Sequence, residues 1–326
     1  MRGHVHLKKK LGVTIAVLIA LCLVTVTFVG AKSLYETKKV PKGERHSISE
    51  IIHPSAKWEK VVDGAAESRF MEGINFDRNG AMWMVSPMSN ELLKVERNKV
   101  NSVEEIPGAV GAKFHKDGRL FITSITGNLF AYDPKKGTTE TVLSGYKGLN
   151  DLVFDERGGL YFTDPIGSDA LNPTGTVYYL NPETEEVEVF ADGIAYPNGV
   201  AISADGNRVY ISEFGKNRIV SAPSKAAAAS PETPFVFAQF EGGIGPDGVA
   251  VDREGNLYVA HFQAGEIAVV DASGFKYGTI RMPEGAGTFT TNLAFRDGYL
   301  YVTESSQNEV WRIKVKKEGL PLYGSK

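Results

Sequence analysis

The sequence predicts an all-β fold, a six-bladed β-propeller closed by an N-terminal outer strand, and three observations carry that reading. A unit of strand, tight polar turn and second strand recurs six times, as EGINFDRNGAMWMV, VGAKFHKDGRLFIT, NDLVFDERGGLYFT, NGVAISADGNRVYIS, DGVAVDREGNLYVA and TNLAFRDGYLYVT. The residues on a shared register, Glu72, Val110, Asn150, Asn198, Asp247 and Thr291, are 38, 40, 48, 49 and 44 positions apart. A period in this range with β-branched and aromatic strands is the signature of propeller blades. The last repeat lacks a fourth strand, and Lys57-Trp58-Glu59-Lys60-Val61-Val62, ahead of the first, can supply it and leave no free edge.

One transmembrane or signal segment precedes this domain, at residues 1–31. Arg2 and Lys8 to Lys10 lead into an uncharged run from Leu11 to Ala31, and Lys32, Lys38 and Lys39 follow. The run is long for a signal-peptide core and suits a span of ~20 residues. Val29-Gly30-Ala31 resembles a cleavage site, so a membrane anchor and a secreted, cleaved form are both expectations. The heavier positive flank comes first, which places the propeller outside the cytoplasm. The only cysteine, Cys22, lies in this run, so the exported part has neither disulfide nor thiol chemistry. Residues 32–56 read as a tether and 57–326 as the propeller.

Charge is split along the chain. Residues 1–45 hold nine Lys or Arg against two acids, leaving 27 basic and 37 acidic groups in the rest. An acidic body excludes nucleic acid as the expected partner and suits a cation. Within each repeat the turn residues Asp77, Asn79, Asp117, Asp155, Asp205, Asp252 and Asp297 are read as turn formers, and His115 with them. In the third repeat GTVYYLNPE and EVEVFADG supply the outer strands, and in the fifth EIAVVDASG and YGTIRMPEG. The Ala, Ser and Pro run at 221–237 reads as a solvated loop of blade four.

Because inner strands line a propeller's channel, one register becomes a ring of side chains about one axis. Glu72, Asn150, Asn198 and Asp247 bring two carboxylates and two amides to that axis, a set that repels itself or stays unsatisfied without a positive centre. Oxygen-only ligands with two negative charges suit Ca2+ first, with Mg2+ or Mn2+ as alternatives and Zn2+ disfavoured. A second column, 13 to 15 residues on, returns to the same face: Ser86, Ser124, Asp164, Glu213, His261 and Glu304. His261 is a candidate partner of Asp247. Asp164, Glu213 and Glu304 are read as supporting the ring rather than touching substrate.

The motifs MEGINFDRNG, GLNDLVFDERGGLYFTDP, YPNGVAISADGNRVYISE and GPDGVAVDREGNLYVAHF resemble the senescence marker protein, gluconolactonase and luciferin-regenerating enzyme family, over nearly all of 57–326. The resemblance implies one divalent metal in the channel, held by Glu72, Asn198 and Asp247. It puts Asn150 beside metal and substrate and makes Asp247 the acid/base. Animal gluconolactonases of the family carry an Arg two residues before the Asn matched by Asn150. Here that place is Gly148, and the loop Pro165 to Thr176 has no Arg or Lys.

The expected function is metal-dependent hydrolysis of a small-molecule lactone or related ester. The metal polarises the carbonyl, Asp247 moves the proton and Asn150 positions substrate. No GxSxG elbow is present. Alternatives are a non-catalytic extracytoplasmic binding module with a structural metal, and a phosphotriesterase-like hydrolase on the same scaffold. Thr291 is a bystander or water anchor, and the apolar Val110 leaves one side of the metal free.

Overall fold

The computed structural model of the chain describes residues 46–64, 69–97, 99–227 and 234–325. They form six four-stranded antiparallel sheets. The innermost strands of blades one to six are Glu72–Phe76, Ala109–Phe114, Leu152–Phe154, Pro197–Ile202, Gly245–Val251 and Thr290–Arg296. Trp58–Val62 pairs antiparallel with Glu309–Lys314 and becomes the outer strand of blade six, so the ring closes as the sequence predicts. The segment 1–31 and most of the tether lie outside the described residues, among which no helix is long and apolar enough to cross a membrane.

Strand pleating builds the core. Successive side chains point to opposite faces, and in a propeller both faces meet a neighbouring blade. In blade five, Leu257 and Val259 pack with blade four, while Tyr258 and Ala260 pack with blade six. Second strands therefore read as nearly unbroken apolar runs such as LYVA. Six hydrophobic clusters result, one in each seam between blades.

Hydroxyls tie the seams near the axis. Thr163 donates to Asn198 O at 2.9 Å and Ser212 to Asp247 O at 2.8 Å, each reaching from one blade's second strand to the next blade's inner strand. Thr123 does the same toward Asn150 O. Thr163 Oγ1 also accepts from Asp151 N at 3.0 Å. Thr163→Val keeps the shape and strands both groups, so it is expected to cost about 1–3 kcal/mol. Thermal unfolding checks this; an unchanged midpoint would refute the role of the clip.

Two parts of the chain differ from the sequence reading. The end of the expected tether packs on the propeller: Ser47 caps a short 3-10 turn, Ile48–Glu50, and Ile51 is fully buried between blades five and six. Lys316 N donates to Ile51 O at 2.8 Å, and Ile52 bridges to Val315. One anchoring isoleucine in a polar stretch leaves no periodicity to read. In blade four the third strand is Arg218–Pro223 and the fourth Phe235–Gln239, so both ends of the expected 221–237 loop are strand. The turn residues do what their chemistry suggests: Asp77, Asp155 and Asp252 each accept from backbone amides two and four residues on, at 2.8–2.9 Å.

Candidate active site

Five of the six ring residues stand near the start of their inner strands, where pairing with the second strand slips, and Asn150 lies two residues ahead of its strand. Glu72 pairs with Val85 and Asn75 with Trp83, so one extra residue bulges on the inner strand. The same slip occurs between Pro197 and Val200, Pro246 and Val249, and Thr290 and Leu293. Bulges re-aim side chains beside sites, and here they recur at one level around the axis. The residue after each ring position completes the arrangement: Gly73, Gly111, Asp151, Gly199, Gly248 and Asn292. A Cβ at Gly248 would stand 2.7 Å from Thr291 O and 2.8 Å from Asn292 Cγ, so glycine lets neighbouring backbones approach. Only blades three and six place a side chain at that level.

Those two side chains complete the site. The Asn292 amide counters the rise in the Glu72 pKa, and the Asn198 amide does the same for Asp247. Asp151 is buried; its Oδ2 accepts from Val200 N at 3.2 Å, and its Oδ1 has no partner. Burial pushes Glu72 well above the usual carboxylate range, and the charges of Asp247 and then Asp151 push it further. Burial and the Asp151 charge raise Asp247 in the same way. Asp151 is raised by burial and held back by the charge of Lys113. Tyr196 is raised by burial, with the charges of Asp247 and Glu72 adding to it.

Glu72, Asn198 and Asp247 thus share one buried, electron-rich centre. Asn150 is half-buried, and its side chain makes no hydrogen bond among the described residues. Val110 is buried. Thr291 is occupied away from the pair, donating to Met71 O at 3.0 Å and bonding the Thr303 hydroxyl at 2.8 Å. Among the described residues no three His, Cys, Asp or Glu side chains gather as a metal-ligand set. Amide oxygens must therefore complete any cation site. A hard divalent ion fits this donor set, because two mutually repelling carboxylates, adjacent amides and an orphaned carboxylate oxygen all gain from a positive centre.

The second column serves the loops that enter the inner strands. Asp164 accepts from Lys147 N at 3.2 Å and Gly148 N at 3.1 Å. Glu213 accepts from Ala195 N at 3.1 Å, and Glu304 from Phe289 N at 2.9 Å. Ser86 donates to Arg69 O and Ser124 to Pro107 O. His261 does not bond Asp247. Its Nε2 lies 3.0 Å from Asn217 Oδ1 and its Nδ1 3.8 Å from Glu266 Oε1, and burial lowers its pKa. Strand pairing explains this: His261 stands opposite Pro246, while Asp247 lies in the bulge and turns away.

Above the ring the mouth is aromatic. Tyr196, Phe214, Phe262, Phe289 and Phe70 follow one another around blades four, five, six and one, with ring centroids 5.5, 6.0, 4.6 and 6.5 Å apart in turn. All five are partly exposed. Across the mouth, a Cβ at Gly148 would overlap Ile166 and stand 2.7 Å from Ile125 O, so no longer side chain fits there without movement. Ile125 and Ile166 present apolar surface instead.

Residues 70–306 match the family described as the SMP-30/gluconolactonase/LRE-like region. The chain belongs to this family. Lactonase drp35 of Staphylococcus epidermidis is 32% identical over 260 residues, covering 74% of this chain and 78% of that one. Lactonase drp35 of Staphylococcus aureus is 32% identical over 227 residues, covering 65% and 70%. Among solved structures, a gluconolactonase of Xanthomonas campestris superposes with TM-score 0.69 at 21% identity, covering 83% of this chain and 94% of its own. Regucalcin of Agrobacterium tumefaciens, described as a calcium-binding protein, gives TM-score 0.68 at 22%, covering 81% and 96%. At these identities the structural likeness establishes the fold. It also extends to the virginiamycin B lyase of Staphylococcus aureus (TM-score 0.57, 13%), so scaffold alone does not choose the reaction.

Proposed function

We propose that this family member is a divalent-metal-dependent hydrolase that opens a lactone or related ester at the mouth of its channel. The observation that carries the reading is the buried Glu72–Asp247 pair, backed by Asn198 and Asn292, in a chain about one third identical to proteins named lactonases. Glu72, Asn198 and Asp247 would hold the cation, with Asn150 at its open side. A bound divalent cation supplies charge stabilisation for the developing oxyanion and activates water.

The chain's own groups do the rest. Asp247 accepts the proton of the attacking water and returns it to the leaving alkoxide. Asn150, uncommitted to any other side chain, orients the substrate. The Tyr196 to Phe70 arc excludes water and takes the apolar body of the substrate. Gly148, Ile125 and Ile166 offer no charge for a sugar acid, which favours an aryl or alkyl lactone.

The test is a panel of aryl, alkyl and sugar lactones with aryl esters, assayed on the purified protein with Ca2+ and with chelator. We expect turnover of aryl or alkyl lactones that chelator removes and Ca2+ restores. Turnover that survives the chelator would overturn the role of the metal, and a preference for the sugar lactone would overturn the reading of the mouth.

A further inference from the structure

The channel carries a second feature at its other end. A cavity of about 280 Å3 lies beyond the ring, walled by inner-strand residues two or three positions past the markers, among them Val153, Val200, Val249 and Leu293. Two or three residues of strand separate it from the ring by about 7–10 Å. The C-terminal segment forms its outer wall: Leu320 N donates to Val251 O at 2.9 Å, and Tyr323 stacks against His115 and Phe154 at 5.0 and 5.6 Å.

Lys113 stands among the apolar inner-strand residues of this wall. Lys113 lines the cavity and is only 8% exposed, yet no hydrogen bond or ion pair reaches its ammonium among the described residues. Asp151 feels its charge but lies beyond ion-pair distance. The other charged groups at the cavity are Asp155, Glu156, Arg296, Asp297, Lys317 and Glu318, at turns, at the end of the blade-six inner strand and on the C-terminal segment; Asp155 is already taken up by the amides of Arg157 and Gly159 and the Tyr179 hydroxyl. The stem of Lys113 is buried while its ammonium opens into the cavity without a protein acceptor, and an anion with an apolar body answers both the charge and the walls. The volume is near the lower end for small-molecule sites, roughly 300 Å3.

We propose that this cavity is a binding site for a small apolar carboxylate, with its head group on Lys113 and its body against the inner-strand side chains. The site is spatially distinct from the ring, which it touches only through the charge of Lys113 on Asp151, and it needs no metal.

Sodium octanoate and octan-1-ol, titrated by calorimetry into the chelated protein, share a chain and differ in the head group. Octanoate is expected to bind one-to-one and at least tenfold more tightly than octanol. Lys113→Met is expected to lower octanoate affinity at least tenfold and leave octanol unchanged, while Ala201→Phe, which fills the cavity, removes both. Thermal unfolding reports whether each variant folds, and the comparison on the unaltered protein stands without either. Equal affinities for the two head groups, or octanoate binding that survives Lys113→Met, would overturn the proposal. So would loss of octanoate binding on Asp247→Asn, which would put the ligand at the ring. No turnover enters the readout, so failure of the hydrolase reading leaves this test intact.

Discussion

Asp247→Asn is expected to lower kcat for lactone hydrolysis by about 100- to 10,000-fold, the range in which a positioned acid/base contributes, and to make the metal-free protein more stable. The two effects share one cause. Asn keeps the size of Asp, but it removes the proton acceptor and one of the buried charges that drive each other's pKa upward. Relief of that repulsion in a desolvated site is worth about 1–3 kcal/mol. A residue with a merely structural role gives the opposite pattern, a destabilised protein with near-normal kcat. Steady-state kinetics in excess Ca2+ and thermal unfolding in chelator decide between them. A kcat within tenfold of the parent, or a lowered midpoint in chelator, would remove Asp247 from the role assigned to it.

The ring was legible because propeller repeats hold register, so oxygen-bearing residues at one position of successive repeats had to converge on the axis. Asp151 and Asn292 were not found this way, although a signal existed. They interrupt a column that is otherwise glycine, at Gly73, Gly111, Gly199 and Gly248. A side chain where backbones otherwise touch stands out in such a column, and the Asp151 charge and the Asn292 amide both act on the ring carboxylates. The bulges that aim the ring left no pattern, since one extra residue in a strand is invisible to a count of alternation. His261 shows the cost: placed beside Asp247 by counting along strands, it pairs with Pro246 once the bulge is included. The backbone partners of the second column, such as Gly148 N and Ala195 N, belong to loops whose course no periodicity describes.

Deprived of divalent cations, the protein is expected to lose stability as pH rises above the ordinary carboxylate range, the reverse of ordinary acid denaturation. Burial first, then neighbouring carboxylates, raise Glu72 and Asp247 above their unfolded values of about 4.3 and 3.9. The folded chain therefore holds protons that the unfolded chain has released. That stabilisation is full below the unfolded values and is lost as pH climbs through the raised folded ones, at up to 1.4 kcal/mol per pH unit for each proton. Asp117, Glu91 and Asp205, held low by their hydrogen bonds, carry the usual sign and act below this window. His261, lowered by burial, opposes the trend near its unfolded value of about 6.5, but equally with and without metal. The difference between Ca2+ and chelator thus isolates the ring. Ca2+ at a hundredfold over its Kd adds about 2.7 kcal/mol, and the gain grows with pH because cation and protons compete for the same oxygens. Unfolding midpoints at pH 5, 6.5 and 8 in both conditions measure it, with Glu72→Gln expected to flatten the chelator series. A Ca2+ shift largest at pH 5, or none at pH 8, would mean that the carboxylates of the ring do not hold the metal.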